Sequence, residues 1–264
     1  MRNVRALIAY DGTGLYGWQR QEGFDSVQER LEEAVGELLG VDVCVHGAGR
    51  TDTGVHALGQ VASFHVDTPI EDDRLRHALN HHLPRGVVIR RLETCPEDFH
   101  ARFSARGKRY LYRVVTARFR PPIGRDYALW VRAPLDFAAM REGARALVGT
   151  HDFRAFASAG SPRSSYERTV ARIRWIPRRE VFGFVIEGNG FLYNMVRAIA
   201  GTLIDVGKGR RPAADVARIL ASRDRSQAGP TAPAQGLFLL RVLYPERLFV
   251  GSDRGPGGAP GLFP

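Results

Sequence analysis

Hydrophobic and polar residues in the first hundred positions follow two spacings, a period of two and a period close to 3.6. The first spacing is typical of strands and the second of helices with one buried face. Ser26 and Glu29 also have the spacing of a helix capping box. The predicted elements are a strand at 4–10, a helix from Ser26 to Gly40, strands at 41–45 and 62–66, a helix at 72–81 and a strand at 87–92.

The β-α-β-β-α-β order recurs in the rest of the chain. A helix predicted after Asp136 ends near Gly149, and Pro177–Arg179 separates two strand patterns. The predicted elements are a strand at 110–116, a helix at 136–149, strands at 169–176 and 181–187, helices at 191–206 and 213–221 and a strand at 237–243.

This repeated order predicts an α+β protein with two ferredoxin-like halves, whose mainly antiparallel sheets surround a central basic cleft. We expect an N-terminal domain at 1–105 and a C-terminal domain at 106–247. The remaining residues, 248–264, are rich in Gly and Pro and are expected to form a disordered or extended tail.

The composition is that of a soluble globular protein, with 44% hydrophobic and 25% charged residues. No apolar run approaches the roughly 18 residues that a membrane-spanning helix needs. The N-terminal residues lack the apolar core of a signal peptide. Cys44 and Cys95 have no Cys or His at metal-ligand spacing, so we expect free thiols in a reducing, cytoplasmic compartment.

Basic residues outnumber acidic ones by 38 to 28, which gives a formal net charge of +10. Only Lys108 and Lys208 are lysines, so nearly all of the basic residues are arginines. Arginine binds phosphate through a planar fork and stacks on bases. Codon usage or a hot environment would explain the choice of arginine over lysine, but not the positive excess. We therefore expect a polyanionic partner, most simply a nucleic acid.

A glycine-rich loop at 47–56 carries a single carboxylate, that of Asp52. The glycines let a large ligand approach the main chain closely. Asp52 is therefore a candidate acid or nucleophile. The alternative interpretation is that Asp52 only caps a turn.

Tyr110 and Arg197 are two further candidates, because a cleft between two halves is a preferred ligand site. Tyr110 begins a predicted strand, and Arg197 lies on a helix that is otherwise apolar around it. Alternatively, Tyr110 is an ordinary half-buried aromatic residue and Arg197 extends from a buried helix to solvent. The histidines have no metal-ligand pattern, so no metal site is predicted.

Several segments share a pattern with one enzyme family and together span nearly the whole chain. They are Tyr10-Asp11-Gly12 with Trp18-Gln19, Gly49-Arg50-Thr51-Asp52 with Gly54-Val55-His56, Asp98–Ser104, Arg109-Tyr110, Asn189 with Met195-Val196-Arg197, and Ala228-Gly229 with Gln235-Gly236-Leu237. In this pattern the chain resembles the A family of tRNA pseudouridine synthases. Position 53 is Thr where that family usually has alanine, which changes no catalytic position.

The resemblance implies an isomerase that converts uridine to pseudouridine at positions 38, 39 and 40 of the tRNA anticodon stem-loop. It implies that Asp52 is the nucleophile, that Tyr110 stacks on the target base and helps to remove the C5 proton, and that Arg197 pairs with the catalytic carboxylate. Arg50 would contact a phosphate or the flipped base. The partners implied are tRNA and a second copy of the chain in a homodimer, and no cofactor is implied.

Two other classes of protein fit the sequence less well. A noncatalytic RNA-binding protein of ferredoxin-like fold would carry aromatic residues in a Lys/Arg-Gly-Phe pattern, which this sequence lacks. A glycosidase ordinarily needs two carboxylates, and nucleases often need clustered acids for a metal. Asp52 has no acidic neighbour in sequence.

Overall fold

The computed structural model describes residues 1–158, 165–176 and 181–249. These residues form two compact units, the first made of 1–106 and the chain from Leu240 onward, and the second of 107–239. The predicted turn at Pro177–Arg179, and the predicted tail from residue 250 on, lie outside the described residues. Across the described ranges, no helix combines the length and the apolar character that crossing a bilayer requires.

The first unit contains helices and antiparallel strands in the predicted order. Its strands lie in the order β4-β1-β3-β2, and each is antiparallel to its neighbour. The elements are β1 (Arg2–Tyr10), α1 (Val27–Leu39), β2 (His46–Gly47), β3 (His56–Val66), α2 (Asp72–His82) and β4 (Val87–Thr94).

Helix α1 begins and ends where the sequence predicts. The Ser26 side chain accepts a hydrogen bond from the backbone N of Glu29, and Gly40 ends the helix with a φ of 69°. Glycine adopts this left-handed conformation without a steric penalty. Leu75 and Leu79 of α2 are buried, as predicted, so both helices contribute an apolar face to the core of the unit.

The strand predicted at 41–45 is wrong, because regular pairing starts only at His46. Val41 is 43% exposed, and the backbone N of Val45 donates to the carboxylate of Glu32 at 3.1 Å. A side chain of α1 therefore takes the hydrogen bond that a longer strand would require from a neighbouring strand.

The second unit contains the predicted elements and two short strands, β6 and β7, that the sequence pattern did not indicate. Strand β5 pairs with β9, β9 with β8 and β8 with β7, all antiparallel, while β6 pairs in parallel with β5. The elements are β5 (Gly107–Thr116), β6 (Leu129–Val131), α3 (Phe137–Arg145), β7 (Gly149–Asp152), β8 (Glu167–Ile176), β9 (Val181–Gly188), α4 (Met195–Gly207) and α5 (Asp215–Ser222).

Helix α4 starts four residues later than predicted, because Asn194 has a φ of 60° and interrupts the regular helix before Met195. The whole of α4 is described, and every residue in it except Arg197 is buried. Helix α3 ends at Arg145, before the predicted end at Gly149, and Leu147 beyond it is still buried. The carboxylate of Asp136 caps the N-terminus of α3 by accepting a hydrogen bond from the backbone N of Ala139.

Strand β10 (Leu237–Leu243) begins in the second unit and ends in the first. This division differs from the expected boundary at 247. The reason is that residues after Leu239 bond to the first unit: Leu243 O accepts from Arg106 N at 2.8 Å, and the Tyr244 hydroxyl donates to Ala101 O at 2.6 Å.

Removal of the α1 cap tests how much this local bond stabilises the first unit. We expect Ser26→Ala to lower the free energy of unfolding by about 1 kcal/mol, because an N-terminal backbone N–H loses its acceptor. Ser26→Gly should cost only a few tenths of that, since glycine is tolerated at this position. Chemical denaturation of both variants measures the difference, and equal losses would show that the cap contributes nothing.

Candidate active site

The Asp52 loop, residues 48–55, precedes β3 in sequence and its first residues lie alongside that strand. Ala48 N donates to Val61 O, and the Gln60 side chain donates to Gly49 O, both at 2.8 Å. Asp52 O accepts from Val55 N at 3.1 Å, which closes a turn with Gly54 at a φ of 75°. The main chain of Asp52 thus forms a turn, while its side chain stands partly exposed.

A second segment, residues 12–18, packs directly on the Asp52 loop. Trp18 N donates to Thr51 O at 3.1 Å, and Gly54 N donates to Leu15 O at 3.2 Å. Gly17 has a φ of 84°, and a Cβ at this position would lie 2.3 Å from Thr51 O. Since a contact of this length is a steric clash, only glycine allows the two backbones to come so close.

Buried polar side chains form hydrogen bonds next to the Asp52 loop. The Tyr10 hydroxyl and the Thr51 hydroxyl are 2.7 Å apart, and burial raises the pKa of Tyr10 far above its usual range. Nδ1 of His56, which is 1% exposed, lies 3.0 Å from the backbone N of Gly12 and 3.1 Å from Oδ1 of Asp11. These contacts connect the end of β1 to the start of β3, two segments that lie before and after Asp52 in the sequence.

Sequence reasoning noted His56 only as a histidine without a metal-ligand pattern, and so missed this supporting role. The signal was present, because Asp11, Gly12 and His56 all belong to segments that carry the family resemblance. Arg50, the predicted substrate contact, is exposed on the same loop, two residues before Asp52.

In the second unit, Tyr110 lies on β5 opposite Ile186 of β9. It is 7% exposed, and its ring meets that of Phe191 edge to face with centroids 5.2 Å apart. Tyr110 is therefore more deeply buried than the half-buried aromatic residue of the alternative interpretation.

The residue before Tyr110 also fixes β5 against its neighbours. Arg109 and Arg172 both donate to Oε2 of Glu187, at 2.6 Å and 2.8 Å. Burial alone would raise the pKa of Glu187, but the hydrogen bonds from Arg172 and Arg109 hold that pKa below its usual value. The carboxylate therefore remains charged and links three strands of the unit.

The Arg197 guanidinium is held by groups of its own unit. Nε donates to Ala232 O and Nη1 donates to Oδ1 of Asn194, both at 2.8 Å. Helix α4 and the segment around Ala232 touch closely, because a Cβ on Gly201 would lie 1.7 Å from Pro230 O. Defined acceptors thus orient Arg197. The alternative interpretation, a side chain that extends from a buried helix to solvent, does not account for these hydrogen bonds.

Tyr110 and Arg197 are related through Tyr112. Residues two apart on a strand share a face, so Tyr110 and Tyr112 point to the same side of β5. The Tyr112 hydroxyl donates to Pro233 O at 2.9 Å, and the preceding carbonyl, Ala232 O, accepts from Arg197 Nε at 2.8 Å, so the guanidinium lies near Tyr112. The second unit therefore brings Tyr110 and Arg197 to one side of β5, and the first unit brings Arg50 and Asp52 to one loop.

Among the described residues, no group of three His, Cys, Asp or Glu side chains is arranged to hold a metal ion.

Comparison with known proteins matches residues 6–104 and 144–245 to the sequence model of a family described as tRNA pseudouridine synthase. Arg50, Asp52 and Arg197 lie within the matched residues, and Tyr110 lies between the two ranges.

Individual relatives match most of the chain. A tRNA pseudouridine synthase A of Acetivibrio thermocellus is 45% identical over 244 residues, which cover 92% of this chain and all of the relative. One of Paramagnetospirillum magneticum is 45% identical over 98% of this chain and all of its own length. A crystal structure of an archaeal box H/ACA sRNP Nop10–Cbf5 complex covers 76% of this chain and 44% of that chain at 11% identity, with a TM-score of 0.36, a likeness too weak to inform the fold.

The close contact at Gly17 generates a test with an internal control. Gly17 and Gly23 both have a positive φ, but a Cβ on Gly23 would meet nothing within 4 Å. We expect Gly23→Ala to lower the free energy of unfolding by about 1–2 kcal/mol through backbone strain alone. Gly17→Ala should cost more and should speed amide hydrogen exchange at residues 51–55, because the new methyl group displaces Thr51. Similar losses and unchanged exchange would contradict the proposed backbone contact.

Proposed function

Because the chain belongs to the tRNA pseudouridine synthase family, we propose that it isomerises uridine to pseudouridine at positions 38, 39 and 40 of the tRNA anticodon stem-loop. Membership of this family makes the chain an isomerase. The observation that carries the proposal is the Asp52 loop: backbone hydrogen bonds hold the main chain around a partly exposed Asp52, in the matched part of the chain.

Asp52 is the proposed nucleophile. Its carboxylate releases the base from the ribose by attack on C1′, by addition to the ring or through a glycal, and the base then rejoins the ribose through C5 and loses the C5 proton. The reaction exchanges a C–N for a C–C glycosidic bond without net oxidation or an activated group donor. The proposed chemistry therefore requires no cofactor.

Arg197 and Arg50 have separate proposed roles. A guanidinium near a carboxylate favours its charged form, so we assign Arg197 the role of keeping the nucleophile ionised. The fixed orientation of Arg197 by Ala232 O and Asn194 supports this role. Arg50 is exposed on the Asp52 loop and is the proposed contact to a phosphate or to the flipped base.

Tyr110 is the proposed partner of the target base. A uridine within a stem must leave its stack, which costs a few kcal/mol, and stacking on an aromatic ring returns about 1–3 kcal/mol. Tyr110 is only 7% exposed, so a base must use the small open part of its ring or displace a neighbour. Its hydroxyl is the proposed participant in removal of the C5 proton.

We also propose a domain fold, an oligomeric state and a location for the protein. The antiparallel order β4-β1-β3-β2 and the pairing of β5 with β9 and β9 with β8 support two ferredoxin-like halves. A homodimer is proposed on the family resemblance, and analytical ultracentrifugation measures it directly. The free thiols of Cys44 and Cys95 support a cytoplasmic location.

Replacement of the proposed nucleophile tests the reaction. Asp52→Asn should abolish tritium release from C5-labelled uridine in tRNA while tRNA binding persists, because the amide keeps the shape but cannot act as a nucleophile. Asp42→Asn removes the same charge from an exposed position ten residues away and should retain full turnover. Substantial turnover by the Asp52 variant would rule out the assignment.

Two variants separate the proposed roles of Tyr110. Tyr110→Phe should keep tRNA affinity but lose roughly 10²–10⁴-fold in single-turnover rate, since it lacks the group that assists proton transfer. Tyr110→Leu should in addition weaken binding, because it also lacks the ring. If Tyr110→Phe turns over at the wild-type rate, the residue serves packing only and another base removes the proton.

A further inference from the structure

Three aromatic rings form a short column on the surface of the first unit. The ring centroids of His46 and His100 are 4.9 Å apart, with the planes 29° from parallel, and those of His100 and Phe103 are 4.4 Å apart. Phe103, at the end of the column, is 76% exposed. The guanidinium carbon of Arg102 lies 5.7 Å from the Phe103 centroid. We call these four residues the ring column.

A hydrogen-bonded turn holds the ring column in place. The backbone N of His100 donates to the Ser104 hydroxyl at 3.1 Å, and Ser104 N donates to His100 O at 2.9 Å. Nδ1 of His100 accepts from the backbone N of Arg102 at 3.1 Å. The turn therefore fixes a large apolar ring toward water, an arrangement that becomes favourable when a partner covers the ring.

The surroundings of the middle ring, that of His100, favour its neutral form. Nδ1 of His100 accepts a hydrogen bond, so it carries no proton in this arrangement. Burial, the adjacent His46 and the charge of Arg102 together lower the pKa of His100. A neutral imidazole stacks on its neighbours without charge repulsion, as a nucleobase does.

The two segments that supply the column carry arginines and no acid of their own. Residues 43–50 and 99–106, which supply all of its members, contain no Asp or Glu. They contain Arg50, Arg102 and Arg106, all of which are exposed. Exposed Glu97 and Asp98 directly precede the second segment, and the carboxylate of Glu97 lies 2.8 Å from His65 Nε2. Aromatic rings next to arginines are the features that bind unpaired nucleotides by stacking and phosphate contact.

We propose that the ring column binds an unpaired nucleotide of tRNA, with the base stacked on Phe103 and the neighbouring phosphate held by Arg102. This inference rests on the proposed tRNA substrate. The nucleotide is not the one that Asp52 attacks. From His46, which pairs with Ser63, the chain runs along β3 past Gly49, which accepts from the Gln60 side chain, and reaches Asp52 six residues after His46, an extended span of roughly 20 Å. The column is therefore a second contact with the same RNA.

Substitutions of Phe103 distinguish stacking from simple apolar contact. Phe103→Ala and Phe103→Leu should each raise the Kd for tRNA roughly 5- to 150-fold, the range expected for loss of one stacked base, and Phe103→Trp should retain affinity. The rate at saturating tRNA should stay at the wild-type value in all three. Phe119→Ala is the matched control, because Phe119 is 74% exposed beside Arg118 but belongs to no ring column, and it should leave affinity unchanged.

Salt dependence tests the phosphate contact. Arg102→Gln should reduce the slope of log Kd against log salt by about 1, because one fewer counterion is released on binding. A wild-type slope would overturn the proposed role of Arg102.

Other outcomes would overturn the proposal in identifiable ways. Full affinity in Phe103→Leu, or an equal loss in Phe119→Ala, would exclude specific stacking on the column. If Phe103→Ala instead dissociates the protein in sedimentation with unchanged tRNA affinity, the column binds a second copy of the chain. If the Phe103 variants bind tRNA like the wild type and the wild type releases tritium from tRNA, the proposal for the ring column is wrong and the proposed function stands. If the wild-type protein releases no tritium from tRNA, the proposed function itself is wrong.

Discussion

Direct contact between backbones, made possible by glycine, determines where the candidate catalytic residues lie. In the first unit, Gly17 lets residues 12–18 touch the carbonyl of Thr51, next to Asp52. In the second unit, Gly201 lets α4 touch the carbonyl of Pro230, and the chain after it supplies the carbonyl that holds Arg197. A side chain can change rotamer to relieve a poor fit, but a backbone cannot. Main-chain geometry therefore determines where the backbones of Asp52 and Arg197 lie.

Around the Asp52 loop and Arg197, hydrogen-bonded polar groups restrict the remaining freedom. The hydroxyls of Tyr10 and Thr51 bond beneath the Asp52 loop, and buried His56 links β3 to the end of β1. On Arg197, two acceptors fix two different nitrogen atoms of one planar group. Such preorganisation matters for catalysis because charges that are already oriented need no reorganisation when charge develops on the substrate. Tyr10, Thr51 and His56 are buried, whereas Asp52 and Arg50 are at least partly exposed. Tyr110, the proposed partner of the base, is itself buried.

Local signals in the sequence predicted local structure well, and failed where a distant residue intervenes. The capping box of α1 was predicted correctly because it depends on neighbouring residues, and the apolar run of β10 also marked its bounds correctly. The strand at 41–45 was wrong because Glu32, on another element, takes the N–H of Val45. Asp52, Tyr110 and Arg197 were candidates from the sequence pattern, and the resemblance supplied their roles and added Arg50, while the groups that support them were missed. No periodicity shows that Gly17 must meet Thr51, since that contact exists only in the folded chain.

The net charge of +10 is the sum of arginines in different environments, and only some of them are suited to RNA. Arg109 and Arg172 share the carboxylate of Glu187, which compensates one of their two charges and joins the strands. Arg50, Arg102 and Arg106 lie in segments without any acid and face solvent. Release of counterions from phosphate favours binding by such uncompensated groups. The positive excess thus becomes informative about function only when its placement is known, and on the first unit it coincides with the Asp52 loop and with the ring column.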